Sequence, residues 1–176
     1  MSTRTTMSHT AGEAPVFPLS AEQCDRMARA ALEEDRAFDD VTTIAVVPPG
    51  ARASAVMVAR SGGVIAGIPL AVAVFRLLDR DAKCRARVLD GAQVAPNATV
   101  LSVEGSARAI LSAERVALNF AQRLSGIATL TSRYVHAVRG TRAKILDTRK
   151  TTPLLRELEK YAVRCGGGSN HRADLE

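Results

Sequence analysis

Ala143-Lys144-Ile145-Leu146-Asp147-Thr148-Arg149-Lys150-Thr151-Thr152-Pro153 is the stretch on which the fold turns. Ala143 to Leu146 predicts a short strand. The residues from Asp147 to Thr152 are all polar or charged, and Pro153 suits the first turn of whatever follows. Leu155, Leu158 and Ala162 then recur at helical spacing until Gly166-Gly167-Gly168 stops the pattern. Helix, strand, polar loop, helix is the order expected at the start of an α/β barrel or a doubly wound sheet. Ligands in such folds sit at the carboxyl ends of strands, and Asp147 to Thr152 stands at such an end.

Upstream, a helix is predicted from near Ser112. It has Ala113, Val116, Ala117, Phe120, Leu124 and Ile127 on one face and Arg115, Asn119 and Gln122 on the other. Ser125-Gly126 allows a bend or close packing, and a second amphipathic stretch through Tyr134, Val135 and Val138 reaches Gly140 at a C′ position. Earlier still, Ser20 and Gln23 have capping-box spacing, with Leu19 placed to staple onto Cys24. Cys24, Met27, Ala28, Ala31 and Leu32 form an apolar helical stripe. Asp39-Asp40 reads as a helix-exit loop rather than a paired-carboxylate metal site, because adjacent carboxylates diverge in an extended chain. Strands are predicted at Ala51–Ala59, Val64–Ala66, Cys84–Leu89 and Thr99–Glu104, with a helix from Pro69. Together these describe an α+β module over roughly residues 19–110.

Composition narrows the function. Hydrophobic residues make up 47% of the 176, so a core can be buried, but aromatics are only 3% and Trp is absent. That scarcity argues against single-stranded nucleic acid binding, which relies on stacking platforms. Residues 1–105 carry 11 Lys+Arg and 12 Asp+Glu, whereas residues 106–176 carry 13 and 6, so the later segment holds a net charge of +7. Such asymmetry points to an anionic partner, and nucleic acid, a membrane surface and a phosphorylated metabolite are all compatible with it. Cys24, Cys84 and Cys165 are odd in number and lack C-x-x-C spacing, which fits reduced thiols; Cys165 beside Arg164 is a possible nucleophile without an obvious base. The first 18 residues, rich in Ser and Thr, have no apolar signal-peptide core and read as a disordered tail. A soluble, cytoplasmic protein is expected.

Two clusters carry candidate chemistry. In the first, Arg149 offers a planar fork for carboxylate or phosphate, Lys150 a compact charge, and Thr148, Thr151 and Thr152 hydroxyls. The competing reading is that Asp147 pairs with Arg149 or Lys150 in a solvated loop. In the second, Gly166-Gly167-Gly168 permits close backbone approach, and His171 and Arg172 can hold a carboxylate. No histidine spacing suggests a metal site. Arg115 is a third candidate on the polar face of its helix.

The chain resembles the quinolinate phosphoribosyltransferases. The likeness rests on Glu114-Arg115-Val116-Ala117-Leu118-Asn119-Phe120, Leu124-Ser125-Gly126-Ile127-Ala128-Thr129, Ile145 to Thr151, Lys160-Tyr161-Ala162-Val163-Arg164 and Gly166 to Arg172, in that order. Asp39 to Thr43 and Gly62 to Gly67 add to it. The resemblance implies an α/β chain: an α+β sandwich domain over 19–111, then linking helices and the first part of an incomplete α/β barrel over 112–176. It implies that quinolinate attacks phosphoribosyl pyrophosphate, with magnesium assisting pyrophosphate departure and one carboxylate leaving as carbon dioxide, to give nicotinate mononucleotide for NAD biosynthesis. It also implies roles. Arg149, His171 and Arg172 would hold quinolinate carboxylates, Lys150 would serve quinolinate or the phosphates and act in catalysis, and Thr148 would assist. Arg115 would enter the partner's site in a homodimer. A molybdenum-transport-associated branch (ModD) shares the general pattern but usually differs at Asn170-His171-Arg172.

The sequence departs from that family in two places. Leu154 stands where Gly is frequent, and Ala173-Asp174-Leu175-Glu176 replaces the usual continuation. The family's further lysine and its acidic ribose- and magnesium-associated residues have no counterpart before Glu176. An incomplete gene product with little transfer activity is therefore expected, or a non-catalytic binding or dimerisation module.

Overall fold

Ser20 opens the first helix as its spacing predicts: the Gln23 amide donates to Ser20 Oγ at 3.2 Å while Ser20 N–H donates to Gln23 Oε1 at 2.7 Å. A computed structural model describes residues 15–171. Over these the order is α1 (Ala21–Glu34), a 3-10 turn (Ala37–Asp39), α2 (Val41–Val46), β1 (Arg52–Val58), β2 (Gly63–Val64) and α3 (Ile68–Leu78). There follow β3 (Lys83–Ala86), β4 (Gln93–Val94), β5 (Thr99–Ser106), α4 (Ala107–Ala137) and α5 (Arg156–Cys165). Fold class is mixed helix and sheet, as read from the sequence. No helix among the described residues is long and apolar enough to cross a membrane.

The module is an antiparallel sheet with helices on one face. Strand order is β1-β5-β3, and β1 pairs with β5 from Arg52↔Ser106 to Met57↔Leu101 before a bulge. Leu101 and Val103 of β5 share one core cluster with Leu70, Ala71, Val74 and Phe75 of α3 and Cys24, Ala28 and Leu32 of α1, while Gly105 lies against Asp79 and Ala82. Asp40 does not sit in a helix-exit loop. Its carboxylate caps α2, accepting from Thr43 N–H at 3.0 Å and Thr43 Oγ1 at 2.6 Å. β2 overlaps the strand expected at Val64–Ala66, but its partner β4 escaped the sequence reading, because a two-residue strand carries no periodicity.

The largest departure is α4. It is one helix of 31 residues, roughly 46 Å long at 1.5 Å per residue, where two amphipathic stretches starting at Ser112 were expected. Ser106, not Ser112, caps it, accepting from Ala109 N–H at 3.4 Å. Ser125-Gly126 does not interrupt it, and of the bend or close packing it allows, Ser125 serves the packing. Its hydroxyl binds Ala66 N–H at 3.0 Å and Ala66 C=O at 3.2 Å, and Thr129, one turn on, binds Val64 N–H and C=O at 2.9 and 3.3 Å. Two hydroxyls at i and i+4 thus satisfy a backbone edge that no strand covers.

The expected strand at 143–146 is reduced to a parallel bridge, Leu146 with Ser169, closed by Ser169 N–H to Ile145 C=O at 2.9 Å and Asp147 N–H to Ser169 C=O at 3.1 Å. One partner supports only one bridge, and Leu146 is half exposed. With α5 between its strands, this is a βαβ unit. Three contacts lock it to the rest. Gly166 abuts the Ala128 carbonyl and Thr131 of α4 so closely that a Cβ there would overlap Ala128 O. Tyr161 donates to Asp90 Oδ2 at 2.9 Å, while Asp90 also accepts from Gly67 and Ile68 N–H at the head of α3, at 2.7 and 3.2 Å. Residues 15–18 differ from the tail reading: Phe17 meets Tyr161 edge to face at 5.1 Å, and Arg164 donates to Val16 C=O. Residues 1–14 of that tail lie outside the described part.

Leu154 explains its own oddity. It has φ +67° and is 94% exposed, a left-handed position where a side chain is strained and buries nothing. Leu154→Gly should therefore raise stability, by about 1 kcal/mol, whereas Gly166→Ala, whose φ of −78° alanine accepts, should lower it by about 1–3 kcal/mol through overpacking alone. Urea midpoints of the two variants, moving in opposite directions from the parent, check both.

Candidate active site

The loop after the Ile145-Leu146 strand is held at both ends and open in the middle. At its start Asp147 is buried, not solvated, and its partner is neither Arg149 nor Lys150. Lys160 of α5 donates to Asp147 Oδ1 at 2.7 Å, with side-chain exposures of 6% and 5%. Lys160 Nζ also donates to His171 C=O at 2.7 Å, and His171 N–H donates to Asp147 Oδ1 at 2.7 Å. The Asn170 amide nitrogen, oriented toward its acceptors, donates to Asp147 Oδ2 and Lys160 C=O, both at 3.0 Å. Every carboxylate oxygen is thus matched. That matters, because removing one partner of a buried pair costs about 3–5 kcal/mol.

At the far end, Arg123 of α4 reaches Thr152 Oγ1 and pairs with Glu159 at 2.5 Å, while Thr152 N–H donates to Glu159 Oε2 at 3.3 Å. Burial pushes the Glu159 carboxyl up, but the hydrogen bonds from Arg123 and Thr152 outweigh it and hold the group below the usual glutamate value. Arg156 braces the middle through Thr151 Oγ1 at 3.2 Å and Arg149 C=O at 3.3 Å. Thr148 Oγ1 accepts from Lys150 N–H at 3.2 Å, shaping the turn.

Between these anchors Arg149 is half-buried and Lys150 exposed, and among the described residues neither side chain has an ion pair or hydrogen bond. His171 joins them across the parallel bridge with its imidazole exposed. So the structure brings Thr148, Arg149, Lys150 and His171 to one strand end. Arg172 lies outside the described residues.

Arg115 is elsewhere. It lies two turns before Arg123 on α4, paired with Asp35 at 2.9 Å and 74% exposed, beside a cleft of about 300 Å³ lined by Arg36, Asp39, Asp40, Leu111 and Ser112. Asp40 cannot double as a metal ligand there. Its carboxylate takes both Thr43 donors and Ser112 Oγ at 2.9 Å, and those bonds hold it below the usual aspartate value. No group of three His, Cys, Asp or Glu among the described residues could hold a metal ion. Cys165 is no nucleophile either. It is buried, and burial pushes its thiol up to about 11.

Lys160 and Arg123 were not singled out from the sequence. On a helical wheel Lys160 falls away from the Leu158, Ala162, Cys165 stripe, so periodicity assigns it to solvent. It is buried only because the 169–171 segment returns across it.

Comparison with known proteins decides what this arrangement belongs to. Residues 40–125 match the N-terminal domain of quinolinate phosphoribosyl transferase, and residues 127–176 match its C-terminal domain. The chain belongs to the quinolinate phosphoribosyltransferase family. It is 49% identical over 150 residues to the nicotinate-nucleotide pyrophosphorylase [carboxylating] of Mycobacterium leprae, covering 84% of this chain and 53% of that one. Its structure superposes on NadC from Streptococcus pyogenes with a TM-score of 0.84 at 44% identity, over 89% of this chain and 56% of that one. The nicotinate-nucleotide pyrophosphorylase from Francisella tularensis gives 0.84 at 37%, over 91% and 57%. The chain spans about half the length of these relatives. The match to the C-terminal domain begins within α4, so this helix joins the module to the cation-bearing strand end.

Two titrations follow. The Glu159 contribution is present above the usual glutamate value and lost as pH falls through its lower folded value, so the melting temperature should drop as the pH is taken below the usual glutamate range. Glu159→Gln should flatten that drop in a series of thermal melts. Cys165, pushed up to about 11, should react with a disulfide reagent at pH 8 far more slowly in the native chain than in the unfolded one.

Proposed function

We propose that this chain supplies the quinolinate-holding part of a quinolinate phosphoribosyltransferase site. The observation that carries the reading is Arg149 and Lys150, two cations whose side chains have no partner among the described residues, beside His171 at one strand end. Quinolinate is a dianion with adjacent carboxylates. Arg149 can take one carboxylate in two-point fashion, His171 can donate to the other, and Arg172 would add a second fork. Lys150 faces the open side, where a phosphate-bearing co-substrate would approach, and Thr148 offers a hydroxyl.

Phosphoribosyl pyrophosphate is the co-substrate on this reading. The ring nitrogen of quinolinate forms a bond to the anomeric carbon as the bond to pyrophosphate breaks. Loss of the 2-carboxylate as carbon dioxide then gives nicotinate mononucleotide, a step in NAD biosynthesis. Fixed cations beside the departing pyrophosphate stabilise the charge that develops on it. Lys150 is the group of this chain placed to do so.

Magnesium is expected of such a reaction, but the described residues do not fit it. Asp147 is fully occupied, Asp40 caps a helix, and no third acid or histidine converges on either. No step is therefore assigned to the ion here. Arg115, remote from Arg149 within one chain, reads best as a contribution to the site of a second protomer in a homodimer. A cytoplasmic enzyme without nucleic acid or membrane partners completes the proposal.

Calorimetry with quinolinate tests it. Arg149→Ala should weaken binding by about 1.5–3 kcal/mol without changing the melting temperature much; unchanged affinity in the folded variant would falsify the assignment. Sharing is tested by mixing. Arg115→Ala and Arg149→Ala chains, each deficient alone, should recover about a quarter of the binding capacity once protomers exchange in two-fold dimers.

A further inference from the structure

Lys160 does something that its bonds to Asp147 and His171 do not by themselves require. A carboxylate stands two residues before Arg149 and three before Lys150 on the same loop. Left alone, it is the nearest counter-ion for either cation, and such a pairing would take up the very charge that an anionic ligand needs. The structure prevents this by sending a third cation from the crossover helix. Lys160 Nζ holds Asp147 Oδ1 at 2.7 Å, His171 N–H holds the same oxygen at 2.7 Å, and Asn170 takes the other. With Asp147 spoken for, Arg149 and Lys150 carry a net charge of two that no described residue pairs, the match for a dicarboxylate.

We infer that Lys160 is a positioning residue for anion binding: it sequesters Asp147 so that Arg149 and Lys150 stay available to a dianion. This rests on reading the strand-end loop as an anion site, and it deepens that reading. Stability alone is a weak reason for such a pair, since buried ion pairs replaced by apolar groups of similar size are often no less stable. What an apolar residue at 160 could not do is keep the Asp147 carboxylate away from Arg149 and Lys150.

The test compares Lys160→Met with the double variant Asp147→Asn/Lys160→Met in the full 176-residue chain. Two readouts are used: affinity for quinolinate and for phthalate, its carbocyclic analogue, by calorimetry, and the rate of Lys150 acetylation by mass spectrometry. Lys160→Met frees a carboxylate, so affinity for both dianions should fall roughly tenfold or more and Lys150 should label several times more slowly. The double variant has neither charge and should return both readouts to within about threefold of the parent, although it lacks the ion pair. A purely structural pair predicts the reverse, with the double variant no better than the single. If Lys160→Met does not fold, the double variant decides by itself: parent-like binding and labelling support the inference, and their loss overturns it. The inference is also overturned if folded Lys160→Met stays within about twofold of the parent on both readouts. If the parent binds neither dianion, the anion-site reading fails, while Lys150 labelling in the variants still reports whether Lys160 keeps Asp147 from the loop cations.

Discussion

Lys160 and Asp147 meet at 2.7 Å where water hardly reaches, and much of the carboxy-terminal architecture exists to make that meeting tolerable. A buried charge pair is stable only when its remaining donors and acceptors are matched. The matching comes from the chain on either side: the His171 backbone on both of its polar atoms, and the Asn170 amide on the free carboxylate oxygen and the Lys160 carbonyl. Those partners lie on the return segment of the βαβ unit, so the pair can form only once α5 has crossed over and Ser169 has bridged Leu146. Site and supersecondary unit are therefore one cooperative object.

That object leans on α4. The close approach at Gly166, where a Cβ would strike the Ala128 carbonyl, sets how near α5's end lies to the long helix, and Arg123 clamps the loop from the same helix through Thr152 and Glu159. The opposite flank of α4 holds the module, with Ser125 and Thr129 standing in for a missing strand neighbour along 64–66. Asp90 completes the connection by binding the head of α3 and the hydroxyl of Tyr161. The phenol so held is pushed up, first by its burial and then by the adjacent carboxylate. One helix and one aspartate thus connect the anion loop to the sheet-bearing module.

Legibility in the sequence followed the range of the interactions. The capping box at Ser20, the apolar stripe of α1 and strands β1 and β5 are local patterns, and each is where its residues predict. The loop with Arg149 and Lys150 was also visible, because a strand end followed by a dense polar run is a local signal. The true start of α4 was not, since Ser106 and Ser112 are both plausible caps and only the packing of Ile110 and Ala113 decides between them. Lys160 was missed for a stronger reason. Its partner is 13 residues away in sequence and its cover comes from Asn170 and His171, so no window of helical length contains the fact that buries it.

The surplus of positive charge shows why site-level accounting outranks composition. Of the cations in residues 106–176, Arg108 donates to the Val47 and Ile44 carbonyls, Arg115 pairs with Asp35, and Arg123 with Glu159. Arg156 braces the loop, Lys160 holds Asp147, and Arg164 binds Val16 C=O over the ring of Tyr161. Six of the thirteen cations in that segment are therefore engaged with carbonyls, hydroxyls and acids, whereas the side chains of Arg133, Arg139, Arg142 and Lys144 make no such contact among the described residues. A diffuse basic face for nucleic acid would need those cations free and aligned. What the fold leaves uncommitted at the strand end is a pair, Arg149 and Lys150, on a loop clamped at both ends. A small, doubly charged anion matches that remainder better than any extended polymer does, and it is the pinning of the neighbouring carboxylate that makes the remainder two rather than one.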